Sequence, residues 1–322
     1  MNLGPGIPTG KPAGRPTRTV DSGTIDVDDL AGGLDLRLTL ESGQTYLWWR
    51  EDGETYAGDR GDDGGAWYAS TTRAVDGDVD VCRVRQQEGL LEWEGTADVE
   101  PIIRRRLGLG DDLPAIRAAT PNDELLEAAF DALWGMRIVR EPAFPTLLMF
   151  VCSTQMRVAR IFEMQQSLRR ALGTLVTVDG QTYHAYPTPE QVAAASEAEL
   201  RALGLGYRAP YVLETARMVA EGEAHPADAA DRPYEDARDY LTQFVGVGEK
   251  VADCVLLFSL GFLEAVPLDT WIQGTVTEYY PDCDRDSYAA TSRAIRERFG
   301  PYAGYPQTYV FHYRRTGREA PA

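Results

Sequence analysis

Residues 244–254 read FVGVGEKVADC, and fifteen residues later comes the aspartate of VPLDTW. The segment before them, EDARDYLTQFV, is helical in pattern and ends at Gly246, and a new helix is predicted to begin at Glu249 or Lys250. Gly246 and Gly248 allow positive φ angles and the close approach of another backbone. The stretch therefore predicts a helix–Gly-Val-Gly–helix hairpin whose free N–H groups bind an anion such as a phosphate. Taken alone, it also fits an ordinary corner between two helices.

Lys250 is an unusual cation for its position. The chain has only two lysines, Lys11 and Lys250, and the other 30 of its 32 basic residues are arginine. The positive end of the helix dipole disfavours an ammonium ion in the first turn, which favours a neutral, nucleophilic amine. Cys254 lies four residues later on the same helical face, so both side chains are expected to line one pocket. By itself, Cys254 would be interpreted as a small buried core residue.

Asp269 follows Pro267 and is predicted to be the N-cap of a helix that begins at Thr270. Capping alone would explain an aspartate here. Capping and catalysis are nevertheless compatible, because an ionised carboxylate beside a neutral lysine stabilises a cationic sugar transition state.

The composition indicates a folded protein. The 322 residues are enough for two domains, and 43% of them are hydrophobic. No apolar run is long enough to cross a membrane, and the first 17 residues, MNLGPGIPTGKPAGRPT, lack the apolar core of a signal peptide. A soluble, cytoplasmic protein without a membrane partner is therefore expected.

The chain is strongly acidic, with 50 acidic residues against 32 basic ones and a net charge of −18. This sign disfavours a nucleic-acid partner, although it stays compatible with a local basic path. We interpret the acidic, lysine-poor surface as an adaptation to high salt and expect a halophilic protein.

The cysteines and histidines do not predict a metal site. The four cysteines have no CxxC spacing, and the three histidines are dispersed along the chain. This pattern argues against a zinc ribbon, an iron–sulfur cluster and a disulfide framework.

The hydrophobic period changes near residue 100, which predicts an α+β protein. Residues 1–20 are predicted to be a flexible leader, residues 21–115 an antiparallel β-rich domain and residues 116–322 an all-helical domain. In the β-rich part, the alternating leucines of residues 33–50, GLDLRLTLESGQTYLWWR, predict a half-buried strand, and AWYAST, VDVCRV and LLEWEG predict three more. The segment VDGQTYHAYPTPEQ, residues 178–191, is predicted to be a loop followed by a helix start.

GVGEKVADC followed by VPLDTW resembles the hairpin and aspartate of the base-excision DNA glycosylases. LTLESGQTYLWW, LLMFVCSTQMRVARI, TYHAYP, LGLGYRAPYV and FGPYAGYPQTYVF extend the resemblance over about residues 34–313. The chain is similar to the eukaryotic-type 8-oxoguanine DNA glycosylases of the helix-hairpin-helix/Gly-Pro-Asp superfamily. This resemblance implies a monomeric enzyme that removes 8-oxoguanine opposite cytosine from duplex DNA and cleaves the abasic site by β-elimination, without a cofactor.

The resemblance also implies roles for the pocket. Lys250 is the nucleophile that attacks C1′, and Asp269 is the catalytic carboxylate. Gly43 offers its carbonyl to the N7–H that 8-oxoguanine has and guanine lacks. Two side chains sandwich the extruded base and a third reads its pairing edge, namely Cys254, Phe311 and Gln307. Gln307 and Phe311 are four residues apart on one predicted helix, which agrees with a shared pocket.

For the DNA, the resemblance implies that Gly246 and Gly248 grip a phosphate, that Arg160 and Arg208 bind the orphaned cytosine, and that Tyr207 wedges into the stack. For the two arginines, a surface ion pair stays a competing interpretation. The family hairpin often holds a cation through main-chain carbonyls, and the candidates here are Thr242, Phe244 and Val247.

Three positions depart from the family. Gln155 stands where the family usually has asparagine, which bears on the choice of opposite base. Trp271 replaces a histidine two residues after the catalytic aspartate, and Arg314 replaces the acidic partner of that histidine.

Two other functions remain open at this stage. A glycosylase for alkylated bases shares the hairpin and aspartate but generally lacks the lysine. A non-catalytic hairpin module for DNA binding would need neither Lys250 nor Asp269, so the presence of both disfavours it. An endonuclease III-like enzyme would need a four-cysteine cluster motif, which the sequence does not contain.

Overall fold

The computed structural model describes residues 20–56, 65–74, 77–154 and 156–317. The predicted leader, except for Val20, and Gln155 lie outside these residues. Every helix in the described part of the chain is too short or too polar to span a lipid bilayer.

A five-stranded antiparallel sheet forms the N-terminal region, as predicted. The strands are β1 Asp21–Asp26, β2 Trp49–Arg50, β3 Tyr68–Arg73, β4 Val79–Gln87 and β5 Leu90–Gly95. They lie in the order β1-β5-β4-β3-β2. The tight β4–β5 connection consists of Glu88 and Gly89, both with positive φ, which is the backbone twist that two-residue hairpins require.

The strand predicted from the alternating leucines is wrong. Helix α1, Leu36–Glu41, occupies this segment, and Asp35 caps it by accepting the N–H of Leu38 at 2.8 Å. Leu36 and Leu40 are both buried, and they are four residues apart, so the leucine pattern fits a helical face as well as a strand face. The helix cap at Asp35 decides between the two. The chain then bends through Gly43, which has a φ of +97°.

Helices form most of the chain after residue 100, and the α+β fold class is confirmed. The helices before residue 173 are α2 Glu100–Arg106, α3 Leu113–Ala119, α4 Glu124–Ala132, α5 Ala143–Cys152 and α6 Val158–Leu172. Those after it are α7 Pro189–Ala193, α8 Glu197–Leu200, α9 Ala209–Ala220, α10 Tyr234–Leu241, α11 Glu249–Val255, α12 Thr270–Tyr279, α13 Tyr288–Phe299 and α14 Gly304–Arg315.

A small hairpin replaces the first half of the loop predicted at residues 178–191. Strands β6, Leu175–Val178, and β7, Gln181–His184, pair across Asp179 and Gly180, which both have positive φ. Asp-Gly is a strong hairpin signal that the loop interpretation overlooked. The predicted helix start is confirmed, because α7 follows with a capping box built by Thr188 and Gln191.

A buried ion pair joins the sheet region to the helices. Glu141 and Arg106 are almost fully buried, and their side chains meet at 2.6 Å. The other carboxylate oxygen of Glu141 accepts hydrogen bonds from Thr45 Oγ1 at 2.8 Å and from Trp48 Nε1 at 2.9 Å. One carboxylate thus holds the segment that leads into β2 against helix α2.

Replacing Glu141 by Gln is expected to destabilise the protein strongly. The change leaves the guanidinium of Arg106 buried without its counter-charge, which costs about 3–5 kcal/mol of the free energy of unfolding. Glu197→Gln is the control, since it breaks an exposed pair with Arg201 and should cost less than about 1 kcal/mol. Urea denaturation followed by circular dichroism measures both. Equal losses for the two variants would contradict the role of the buried pair.

Candidate active site

The predicted helical hairpin is present, and its two glycines differ. Helix α10 ends at Leu241, earlier than the end predicted at Gly246, whereas α11 begins at Glu249, as predicted. Gly246 has a φ of +82°, and a Cβ there would lie 2.9 Å from the ring of Tyr211. Gly248 has a φ of −100°, so this position does not use the positive φ that glycine allows. Its surroundings are open, since a Cβ at Gly248 would meet nothing within 4 Å, and no side chain caps the first turn of α11.

Lys250 extends from that first turn toward the end of helix α5. Its ammonium donates a hydrogen bond to Ser153 Oγ at 3.2 Å and lies 5.3 Å from the ring centre of Phe150. Sequence reasoning missed both partners, which lie about a hundred residues away in the chain. No local pattern marks Ser153, whose hydroxyl also donates to the Phe150 carbonyl as part of an ordinary helix end.

One pocket contains all six residues predicted to act on the base. It is lined by Gly43, Lys250, Cys254, Asp269, Gln307 and Phe311, together with Ser42, Gln44, Phe150, Phe258, Pro267 and Thr308. The contributing segments are the bend after α1, the ends of α5 and α11, the loop before α12, and α14. The fold therefore brings together residues from across the chain into a single concave site.

Cys254 forms an apolar wall of this pocket. The side chain is buried, and burial raises the pKa of its thiol to about 12. A thiol with so high a pKa stays protonated and is a poor nucleophile at neutral pH. Cys254 can therefore supply surface for packing.

Asp269 is the N-cap of α12, as predicted, and accepts the N–H of Ile272 at 2.9 Å. Burial raises the pKa of its carboxyl above the usual value for aspartate, while the hydrogen bond from Ile272 and the charge of Lys250 act in the opposite direction. The carboxylate is thus a partly desolvated charge next to the amine.

Gln307 and Phe311 project from one face of α14, as their spacing predicted. The amide NH2 of Gln307 donates to the Pro267 carbonyl at 3.2 Å. The hydroxyl of Thr308 lies 3.2 Å from Gln307 Oε1 but is closer, at 2.7 Å, to the carbonyl of Gly304. The bond to Pro267 orients the amide, because only its NH2 end can donate. The guanidinium of Arg315 lies 5.4 Å from the ring centre of Phe311.

The residues assigned to the opposite strand lie near the end of α5. Arg208 is buried, donates to the carbonyl of Thr154 and lies 4.3 Å from the ring centre of Tyr207. The ring of Tyr207 is about half exposed, and its hydroxyl is 3.3 Å from Thr154 Oγ1. Arg160 is exposed on α6 and pairs with Glu163 at 2.8 Å. Thr154 directly follows Ser153, the partner of Lys250, so this group borders the pocket.

Trp271 and Arg314, two positions that depart from the family, do not form a charge pair with each other. Trp271 is about half exposed in the first turn of α12. Arg314 donates to Thr275 Oγ1 at 2.8 Å and pairs with Glu278 at 2.7 Å, so its charge is balanced within α12. Among the side chains that the structure describes, no cluster of three His, Cys, Asp or Glu residues could hold a metal ion.

Comparisons with known proteins agree with this geometry. The family model of the HhH-GPD superfamily base excision DNA repair proteins matches residues 148–301. A probable N-glycosylase/DNA lyase of Methanothermobacter thermautotrophicus is 29% identical over 314 residues, which covers 89% of this chain and 95% of the relative. The N-glycosylase/DNA lyase of Saccharomyces cerevisiae is 37% identical over 175 residues, 47% of this chain and 46% of the relative.

A solved structure extends the similarity over both regions of the fold. The 8-oxoguanine glycosylase/lyase of Clostridium acetobutylicum, in complex with duplex DNA containing cytosine opposite 8-oxoguanine, is 25% identical. It superposes with a TM-score of 0.75 and covers 88% of this chain and 93% of its own.

Residues 148–301 thus match the HhH-GPD superfamily of base excision DNA repair proteins, and the similarity to glycosylase/lyases extends over most of the chain. The chain is an enzyme of the bifunctional kind, a DNA N-glycosylase and abasic-site lyase. The resemblance drawn from the sequence is confirmed, and the non-catalytic DNA-binding module is set aside.

Replacing Asp269 by Asn is expected to stabilise the free protein at neutral pH. Because burial raises the pKa of this carboxyl, the folded state binds a proton more readily than the unfolded chain. The ionised carboxylate therefore lowers the free energy of unfolding at pH 7, and this penalty fades as the pH falls toward about 4, the ordinary range of aspartate. Asn caps a helix about as well as Asp, so the cap is retained.

Thermal melts of both proteins between pH 7 and pH 4 measure the effect. The melting temperature of Asp269→Asn should exceed that of wild type at pH 7, and the gap should narrow on acidification. Asp112→Asn is the control, since Asp112 is the exposed N-cap of α3. A variant that melts below wild type at pH 7 would refute the inferred cost of the buried charge.

Proposed function

We propose that the protein removes 8-oxoguanine from opposite cytosine in duplex DNA by attack of Lys250 at C1′, and then cleaves the strand by β-elimination. The observation that carries this proposal is the single pocket shared by the amine of Lys250, the carboxylate of Asp269 and four side chains or backbone groups suited to a purine. The names of the similar proteins support the same substrate.

The reaction requires the base to leave the helix before any bond breaks. Extrusion costs a few kcal/mol of stacking energy, which contacts in the pocket have to offset. In the proposed complex the ring of Phe311 and the thiol of Cys254, which line the same pocket, contact the two faces of the flat base. Stacking on an aromatic ring contributes about 1–3 kcal/mol per base, so this contact offsets much of the cost.

Discrimination against guanine rests on one hydrogen atom. The N7 of 8-oxoguanine carries a proton, which the carbonyl of Gly43 can accept, whereas the N7 of guanine is itself an acceptor. Guanine would place two acceptors face to face in a desolvated site, and such an unpaired polar group costs about 1–3 kcal/mol. The φ of +97° at Gly43 favours glycine and gives the bend that carries this carbonyl.

Lys250 and Asp269 perform the bond-breaking step. The lone pair of Lys250 Nζ forms the bond to C1′, while the C1′–N9 bond breaks and its electrons leave with the base, which takes up a proton. The sugar carries positive charge in the transition state, and the carboxylate of Asp269 stabilises it. Opening of the sugar ring gives an imine between Lys250 and C1′. Loss of a C2′ proton from this imine expels the 3′ phosphate.

The chemistry of Lys250 can be tested by trapping the imine with borohydride. Wild type should form one covalent DNA adduct, which maps by peptide mass to Lys250. Lys250→Gln should fold and bind lesion DNA but give neither adduct nor cleavage, because an amide is not a nucleophile.

Lys11→Gln is the matched control, since it removes the other lysine of the chain and should leave the adduct unchanged. Cleavage of 8-oxoguanine DNA by Lys250→Gln at the wild-type rate would show that the proposed mechanism is wrong.

The choice of opposite base should depend on Arg160. Its guanidinium offers donors to the acceptor edge of cytosine, and such a contact is worth about 1–3 kcal/mol of discrimination. In single-turnover assays we expect wild type to cut 8-oxoguanine faster opposite cytosine than opposite adenine, and Arg160→Ala to lose about tenfold of that preference. Arg170→Ala, an exposed arginine on the same helix, should keep it. Equal wild-type rates opposite all four bases would disprove the assignment.

A further inference from the structure

A buried hydrogen-bond chain links the helix of Lys250 to the loop of Asp269. Asp253 lies on α11, three residues after Lys250, and is fully buried. The hydroxyl of Tyr288, at the start of α13, donates to Asp253 Oδ2 at 2.8 Å. The same hydroxyl accepts the backbone N–H of Leu268 at 3.1 Å, and Leu268 directly precedes Asp269.

The direction of these bonds follows from the chemistry of the groups. A hydroxyl has one proton and two lone pairs, so it can donate to the carboxylate and accept from the amide at the same time. The alternative acceptor for that proton, the carbonyl of Val266, is farther away at 3.4 Å. Burial raises the pKa of Asp253 to about 7, and its hydroxyl donors Tyr234 and Tyr288 counteract that rise.

The hydroxyl of Tyr288 holds the loop before α12 at the backbone N–H of Leu268. Leu268 is buried, and a buried N–H without a partner is costly, so the Tyr288 hydroxyl determines where this peptide can lie. On the other side of the loop, the Pro267 carbonyl accepts from Gln307. The peptide before the catalytic carboxylate is thus held between the base-reading amide and Tyr288.

We propose that Tyr288, anchored by Asp253, is a positioning residue that sets the carboxylate of Asp269 relative to the amine of Lys250. The inference rests on the function proposed above. Because Asp253 and Lys250 share α11, a displacement of that helix carries the anchor of the Asp269 loop with it. The distance between the Lys250 amine and the Asp269 carboxylate is then maintained by the backbone of α11 and by the hydrogen bonds that join Asp253, Tyr288 and the N–H of Leu268.

Two tyrosines on one carboxylate provide a matched test. Tyr234 donates to the other oxygen of Asp253 at 2.7 Å, from α10, and its hydroxyl also lies near Ser292 instead of the catalytic loop. Tyr288→Phe and Tyr234→Phe each remove one donor from the same buried acid, but only Tyr288→Phe frees the Leu268 N–H. A purely structural role predicts similar effects of both variants on catalysis.

Single-turnover release of 8-oxoguanine is the main measurement. Tyr288→Phe should slow it about tenfold, the size of one lost hydrogen bond, whereas Tyr234→Phe should stay within about twofold of wild type. In an Asp269→Asn background, Tyr288→Phe should cause no further slowing, because a residue that acts through Asp269 is non-additive with it. Equal slowing by the two tyrosine variants, or the same factor in both backgrounds, would overturn the proposal.

Nicking of a preformed abasic site is the control that separates a failure of the proposed function from a failure of the positioning role. It confirms that each variant folds and that Lys250 works. Wild type that nicks this site but releases no 8-oxoguanine would refute the proposed substrate, whereas normal release by Tyr288→Phe would refute the positioning role.

If Tyr288→Phe does not fold, Asp253→Asn tests the same hydrogen-bond chain. Asp253→Asn should slow base release in the wild-type background and should not slow it further in the Asp269→Asn background. Slowing in both backgrounds would count against the proposal.

Discussion

The carboxylate of Glu141 is the point on which the two regions of the fold depend. It is fully buried, and it is matched by the guanidinium of Arg106 and by donors from the segment that precedes β2. The backbone of the same residue bonds to Phe258 and Ser259, just after α11. Apolar packing has little directional preference, whereas a buried carboxylate requires its donors in defined places. Glu141 therefore fixes the bend that carries Gly43 relative to the helix that carries Lys250.

The same principle operates at a second buried acid, Asp253 on α11. Its oxygens accept from one tyrosine on α10 and one on α13. Burial raises the pKa of Asp253 to about 7, and its tyrosine donors, together with Arg238 and Arg296, act against that rise. Helix α11 is thus held by polar contacts of Asp253, and the segment directly after it by polar contacts of Glu141. A nucleophile needs a position accurate to a fraction of an ångström, and hydrogen bonds supply that accuracy where packing alone leaves room for sliding.

The sequence predicts those parts of the fold that depend on neighbours in the chain. The hairpin, the cap at Asp269 and the shared face of Gln307 and Phe311 are local features, and the structure contains all three. The leucine segment fits both a strand and a helix, because residues that alternate along a strand also include pairs four residues apart. Only the cap at Asp35 separates the two alternatives. Contacts over long sequence distances, such as Lys250 with Ser153, leave no local pattern to detect.

An enzyme with a net charge of −18 has to hold a polyanion without strong charge attraction. Several of its exposed arginines are already paired with carboxylates, as Arg160 is with Glu163 and Arg201 with Glu197. An arginine that is balanced in this way neutralises less phosphate charge, and DNA binding then gains less from the release of counterions. In the proposed complex, contacts from backbone N–H groups at a helix start and from the ring of Tyr207 between stacked bases depend much less on salt. In concentrated salt, where charge attraction fades for every protein, an acidic surface of this kind sacrifices little DNA affinity and keeps the protein soluble.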